Sequence, residues 1–156
     1  MIKIQQSKTA DTRTCDFTKV TKDTLYASSQ QHINDVEQAM LLFVGILGRS
    51  ASVHDFDKLT DIDSFHEDFV TGFKQTAWWD RHRKLNRHHL IESDGVPADV
   101  NLIDVLDFVA DCVMAGMART GSVRPLTLSN EVLQLALKNT ADLLQSQVEV
   151  VDEEAR

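Results

Sequence analysis

From Thr21 onward the chain places Leu25, Ser29, His32, Val36, Ala39, Phe43 and Leu47 at three- and four-residue steps. That is the period at which side chains line one face of an α-helix, and it is incompatible with the two-residue alternation of a strand. A helix with such a stripe needs further helices to cover it, and His32 is expected on the covered side. Gly48 is placed to end this helix.

The same period continues downstream. Asp63-Ser64 with Glu67 forms a capping-box pattern, opening a helix expected to run through Phe65, Phe69, Phe73, Trp78 and His82 to about His89, with His82, Asn86 and His89 on one face. Glu92-Ser93-Asp94-Gly95-Val96-Pro97 is turn chemistry, and Asp99 is suited to cap a helix over roughly 100–119. That helix carries Ile103, Leu106, Ala110, Val113 and Met117 on one side and Asp104, Asp107 and Asp111 on another. After Gly121-Ser122-Val123-Arg124-Pro125, a last helix from about Leu128 to Leu144 sets Leu128, Val132, Leu135 and Leu143 at core spacing. No internal repeat and no strand pattern is evident. The expected fold is all-α, a single-domain helical bundle of about five main helices over residues 21–146. A locally basic N-terminal arm, 1–20, with Lys3, Lys8, Arg13 and Lys19, precedes it, and an acidic tail, 147–156, with Asp152-Glu153-Glu154, follows.

The chain's 156 residues fit one domain, and 42% hydrophobic content supplies one core. A formal charge of −8 excludes the broad cationic footprint that a nucleic-acid polymer requires, although local cations or metals can still attract a small anion. Cys15 and Cys112 lie too far apart to suggest a disulfide framework or thiolate site. The longest nearly unbroken apolar run, Ala39 to Leu47, is shorter than a membrane span, and Met1-Ile2-Lys3-Ile4 leads into polar sequence. A soluble cytoplasmic protein without a membrane partner is expected.

The chemistry lies in an ordered set: His32, His54-Asp55, His82, His88-His89, then Asp104, Asp107 and Asp111. Neutral imidazoles and carboxylates suit zinc, manganese, cobalt or iron, and one bridging carboxylate can hold two ions close enough to activate a water. Each residue also has a plainer reading. A lone buried-face histidine is usually a hydrogen-bonded core residue, and His54-Asp55 can be a helix-start contact. His82 and His89 stand among Arg81, Arg83, Lys84 and Arg87, as on a solvated basic face. Trp78 and Trp79 suit a core as well as a ring-binding pocket, and Lys58 suits a surface pair with Asp55 or Asp61. It is the order of the set that favours metal binding.

The order His32, His54-Asp55, then a late aspartate resembles the HD-domain superfamily of metal-dependent phosphohydrolases. The stretch His54-Asp55-Phe56-Asp57-Lys58 looks like the His-Asp-x-x-Lys form of several two-metal members. The resemblance covers residues 28–118 and rests on a sparse pattern. Trp79, His82, Asn86, His88 and His89 further resemble a small, mostly uncharacterised bacterial and phage group of HD-like proteins.

The resemblance implies a first metal held by His32, His54, Asp55 and Asp111, and a second by His82 with either His88 or His89. Helical phase favours His89. Asp104 and Asp107 are alternative ligands or partners that orient a histidine; Asp111 is preferred for its setting, Val109-Ala110-Asp111.

The implied activity is hydrolysis of a small phosphorylated metabolite, foremost a nucleoside or deoxynucleoside 5′-monophosphate, using one or two divalent transition metals (manganese, cobalt, zinc or iron). Asp55 and Lys58 would be catalytic, and Lys58, Arg81 and Arg87 would meet the phosphate. The alternatives are an HD-fold diiron oxygenase and a non-catalytic metal- or nucleotide-binding helical protein. The setting would be the cytoplasm, that of the host for a phage-encoded chain, and an exposed apolar helix face would allow two copies to pair.

Overall fold

The structure, a computed structural model, describes residues 1–6, 17–74 and 77–151. Lys8, Arg13, Cys15 and the acidic stretch from Asp152 lie outside them. The chain is mostly helical. Its elements run β1 (Ile2–Gln5), α1 (Lys22–Val53), α2 (Asp57–Thr60), α3 (Ile62–Val70), α4 (Trp78–Leu85), α5 (Leu102–Thr120), α6 (Asn130–Gln145) and β2 (Val148–Val151). They fall into two compact units, one of Met1–Gly45 with Asp142–Arg156 and one of Ile46–Ala141.

In the first unit, β1 and β2 pair in parallel, with Ile2 opposite Val148 and Ile4 opposite Val150. This pairing corrects the expectation of no strands. Each strand is four residues long, too short for alternation to register in a sequence window. Gln31 on α1 donates its side-chain N–H to the Gln5 carbonyl at 2.6 Å.

Helix α1 extends beyond the stop expected at Gly48. That glycine has open space around it and no left-handed backbone, so it costs only about 1 kcal/mol relative to alanine in a helix interior. The helix ends instead at Val53, before Asp55 turns the backbone left-handed at φ 53°. Its apolar stripe is largely exposed, with Leu25 at 47% and Val36 at 45%. His32 is exposed as well, not buried as expected. Helical period identifies the residues that share a face and is silent on what covers it. By length and composition the helical stretch Lys22–Thr60 is long and apolar enough to cross a membrane, a property that the unbroken run Ala39–Leu47 does not register.

In the second unit, the single helix expected from Ser64 to His89 is two helices, α3 and α4. Gly72 (φ 70°), Phe73 (φ 61°) and Ala77 (φ 51°) adopt left-handed backbone between them, which a continuous helix forbids. Ala77 offers α4 no side-chain cap. The fully buried Asp68 supplies one from α3: its carboxylate accepts the backbone N–H of Trp78 at 2.9 Å and of Trp79 at 3.3 Å. A carboxylate there meets both the unpaired donors and the positive end of the helix dipole.

Helix α5 is capped by Asn101 rather than Asp99. Asn101 accepts from the Ile103 N–H, and Asp104 accepts from the Asn101 N–H, a reciprocal capping box. Its buried face is also rotated from the expected one. Ile103, Asp104, Phe108, Cys112 and Gly116 point inward, whereas Leu106 and Met117 are half exposed. Phe108 and Cys112 join Leu90, Val100 and Ala136 in the core, flanked by Val105, Val109, Leu128 and Val132. The aspartates of α5 therefore border the core face instead of occupying a separate one.

Beyond Gly121, left-handed at φ 71°, the chain folds back along α5, and the Arg124 N–H reaches the Cys112 carbonyl at 3.3 Å. Gly116 permits this approach: a Cβ there would lie 2.4 Å from the Ser122 oxygen and 2.8 Å from the Arg124 nitrogen, both backbone atoms. Gly116→Ala is expected to destabilise the chain by about 1–3 kcal/mol, as overpacking does, with the loss read from the urea midpoint. An unchanged midpoint would mean that the 121–125 segment contributes no packing to α5.

Candidate metal centre

Two groups of side chains in the unit Ile46–Ala141 bring ligand atoms together. His54, Asp55 and His88 form one, and Asp55, His82 and His89 form the other; in each, one ligand atom per residue lies within 4.8 Å of the rest. Asp55 belongs to both. Its Oδ1 is 3.3 Å from His82 Nε2 and 3.5 Å from His88 Nε2, and its Oδ2 is 3.5 Å from His54 Nε2.

The backbone explains how these residues converge. His54 and Asp55 occupy the turn between α1 and α2, and the left-handed φ of Asp55 redirects the chain there. Aspartate tolerates that region better than most residues. Helix α4 supplies His82 and ends at Leu85, with Asn86 already extended (φ −95°, ψ 110°). His88 and His89 therefore follow the helix rather than continue it, and adjacent side chains can diverge, one into each group. The choice between them by helical phase rests on a helix that has already stopped.

Carboxylates orient two imidazoles. His82 Nδ1 lies 2.8 Å from Asp57 Oδ2 in a fully buried contact, and His54 Nδ1 lies 2.8 Å from Asp107 Oδ1. Because an ionised carboxylate only accepts, each Nδ1 carries a proton, and in a neutral ring that leaves the lone pair on Nε2. Asp107 also accepts from the Ser50 hydroxyl at 3.2 Å and stands 3.8 Å from His88 Nδ1. Asn86 links the parts: its Oδ1 accepts the Asp55 N–H at 3.0 Å, and its Nδ2 donates to Asp57 Oδ1 at 2.8 Å. Trp78 stacks on His82 at 4.7 Å and on Phe65 at 4.2 Å, while Trp79 packs against both His82 and His89.

The donor set fits a cation. Asp55 Oδ1, His82 Nε2 and His89 Nε2, all members of one group, are buried without a hydrogen-bond partner among the described residues. Buried polar atoms seldom remain so, and two imidazole lone pairs beside a carboxylate oxygen are what a divalent ion satisfies. Burial, with His88 and His82 close by, pushes His89 down to about 3. Burial and the neighbouring His54 also lower His88, against the opposing pull of Asp107, Asp55 and Asp111. Both rings are thus neutral, as ligation requires. Burial pushes the Asp55 carboxyl up, but the hydrogen bond and charge of Lys58 hold it below its ordinary value.

The other residues singled out in the sequence have different surroundings. His32 is exposed on α1 and belongs to neither group. Asp111 is in neither group and lines a cavity beside His88 and His89. Asp104 caps α5 and receives a two-pronged pair from Arg87, Nε at 2.8 Å and Nη2 at 2.9 Å; Arg87 also pairs with Asp99 at 3.0 Å. Arg81 pairs with Asp61 at 3.2 Å, and Lys58 bonds to Asp55 Oδ2. Cys112 is a buried free thiol whose pKa burial raises, and it belongs to neither group. Sequence reasoning gave no role to Asp57, Asn86 or Ser50. Asp57 carried one signal, a second acid two residues after the His-Asp pair, and Asn86 stood in the shared His82 face.

No family model, curated protein or solved structure matches the chain. The donor geometry leads to a stoichiometry test. Titration with manganese or zinc is expected to give two sites, His54→Ala and His89→Ala each to leave one, and Asp55→Ala to weaken both. Asp57→Asn and Asp107→Asn should lower affinity by about 10–100-fold, as loss of an orienting partner does. A single site unaffected by Asp55→Ala would refute the shared carboxylate.

Proposed function

We propose that this chain is an HD-like metal-dependent phosphohydrolase acting on a small phosphorylated metabolite, foremost a nucleoside 5′-monophosphate. One observation carries the reading: a single carboxylate, Asp55, is common to two histidine groups, and one of these has three buried ligand atoms without a hydrogen-bond partner among the described residues. The order of His54-Asp55, Lys58, His82 and His88-His89 supports it through the superfamily resemblance.

His54 and His88 with Asp55 would hold one ion, and His82 and His89 with Asp55 the other. A divalent metal supplies charge to offset the phosphate and lowers the pKa of bound water toward neutrality. The chain's own residues set the geometry. Asp57 fixes the His82 ring, Asp107 fixes His54, and Asn86 fixes the Asp55 backbone. Lys58, beside Asp55, provides a point cation for the phosphate. Arg87, with its raised pKa and its ties to Asp104 and Asp99, is engaged in holding α5 to the turn after α4. A cytoplasmic setting is part of the same proposal.

Phosphate release from ribo- and deoxyribonucleoside 5′-monophosphates, with manganese, cobalt or zinc, tests this reading. Activity should require metal, be lost in Asp55→Ala, and fall by about a hundredfold in kcat in Lys58→Met, the scale of removing one charge-stabilising donor. Silence across the panel, with oxygen consumption by the iron-loaded protein, would move the assignment to a diiron oxygenase. Metal binding without any turnover would leave a binding protein.

A further inference from the structure

Two cavities in the unit Ile46–Ala141 border the candidate centre. One, of about 460 Å³, reaches His54 and His88, which both belong to the same group. The other, of about 470 Å³, reaches His88 and His89, one from each group. A substrate that must meet both groups is best served by the second, whose volume lies in the range of small-molecule sites.

The walls of that second cavity are chemically divided. Trp79, Leu90, Ile91, Phe108 and Pro125 form an apolar surface, in which the half-buried indole of Trp79 already packs edge-on to His89 at 5.4 Å. Arg124 contributes an exposed cation that forms no ion pair among the described residues. Arg83 also lines the cavity but is constrained differently. Its Nη atoms reach Asp80 at 2.9 Å, Glu92 at 2.6 Å and Asp94 at 2.8 Å, so its charge is neutralised from within the protein. Its Nε–H, in a side chain only 9% exposed, has no hydrogen-bond partner among the described residues and almost no accessible surface, so Arg83 closes the cavity wall and Arg124 is the cation open to a ligand.

We propose that this cavity binds the base of a nucleoside monophosphate. The flat ring lies against Trp79, and Arg124 meets the phosphate. The assignment rests on the phosphohydrolase reading for its choice of a phosphate ester. It adds the residues that select the substrate, and it gives the cationic role to Arg124 in place of Arg81 and Arg87, whose side chains pair with aspartates.

The test is calorimetric titration of the chelator-treated full-length chain with adenosine, guanosine, cytidine and thymidine 5′-monophosphates, alongside ribose 5-phosphate and inorganic phosphate. At least one nucleotide should bind about tenfold or more tighter than ribose 5-phosphate, the scale of one base stacked on an aromatic ring. Trp79→Leu should remove that margin and leave ribose 5-phosphate unchanged. Arg124→Ala should weaken every phosphate ligand by about tenfold or more, as loss of a charged hydrogen bond does. Because Trp79 also supports His82, Ile91→Glu serves as a second variant. Ile91 is 66% exposed, so its replacement spares the fold, and the added carboxylate should repel the phosphate ligands. Nucleotides binding no tighter than ribose 5-phosphate, or folded Arg124→Ala and Ile91→Glu variants with unchanged affinity, would overturn the proposal. Binding is read without metal and hydrolysis with it. Selective binding without phosphate release would therefore refute the hydrolase and leave the pocket standing, whereas phosphate release with KM unchanged in Arg124→Ala would do the reverse.

Discussion

The candidate centre depends on the Asn86 side chain. Its oxygen holds the Asp55 N–H, and its nitrogen holds Asp57, so one amide joins the turn after α1 to the end of α4. Asp55 is left-handed at φ 53°, a conformation that costs on the order of 1–3 kcal/mol for a residue with a side chain. The bond from Asn86 offsets part of that cost and fixes the direction of the carboxylate. Asp57, in turn, is available to His82 because Asn86 satisfies its other oxygen. Both histidine groups thus share an anchor that is itself held from the opposite side of the site.

The charges divide into two sets with different work. Asp57 and Asp107 each accept from an imidazole Nδ1, leaving Nε2 lone pairs directed toward Asp55. Asp104, Asp99, Asp80, Glu92 and Asp94 are engaged by Arg87 and Arg83, fastening the segment around α4 to α5 and to the turn that follows. Arg83 and Arg87 have their pKa values raised by these carboxylates, so both remain charged at any accessible pH, and neither resembles a mobile phosphate clamp.

The helical character was legible because α1, α5 and α6 each repeat at the helical period over many residues. The break between α3 and α4 was not. Phe65, Phe69 and Phe73 keep helical spacing up to the break, and two of the left-handed positions, Phe73 and Ala77, are residues that rarely adopt such backbone. That misplaced helix end also explains why one of His88 and His89 was preferred when each enters a different group. His32 illustrates the limit of periodicity. It shares a face with apolar residues, but burial depends on contacts between distant segments, and this face is exposed. Asp55 could be read as a bridging ligand because it is a carboxylate beside a histidine with further histidines downstream. The pairing of Asp57 with His82 spans 25 residues and that of Asp107 with His54 spans 53, so no local pattern announces them.

The elements that supply the centre are also the ones least able to stand alone. Helices α2, α3 and α4 have four, nine and eight residues, below the length at which an isolated helix is stable in water. Their order is imposed by tertiary contacts: the Asp68 cap on α4, the stack of Phe65, Trp78 and His82, and the pairs from Arg83. His82 belongs to that stack and to the ligand set alike, so the geometry of the site and the stability of the segment around it are one quantity. An ion bound through His82, His89 and Asp55 would therefore act on the fold as well as on a substrate, by the mass-action linkage between binding and folding. The same coupling explains why the site's supports are buried carboxylates and an amide: each satisfies a ring nitrogen or a helix end and leaves the ligand atoms facing one another.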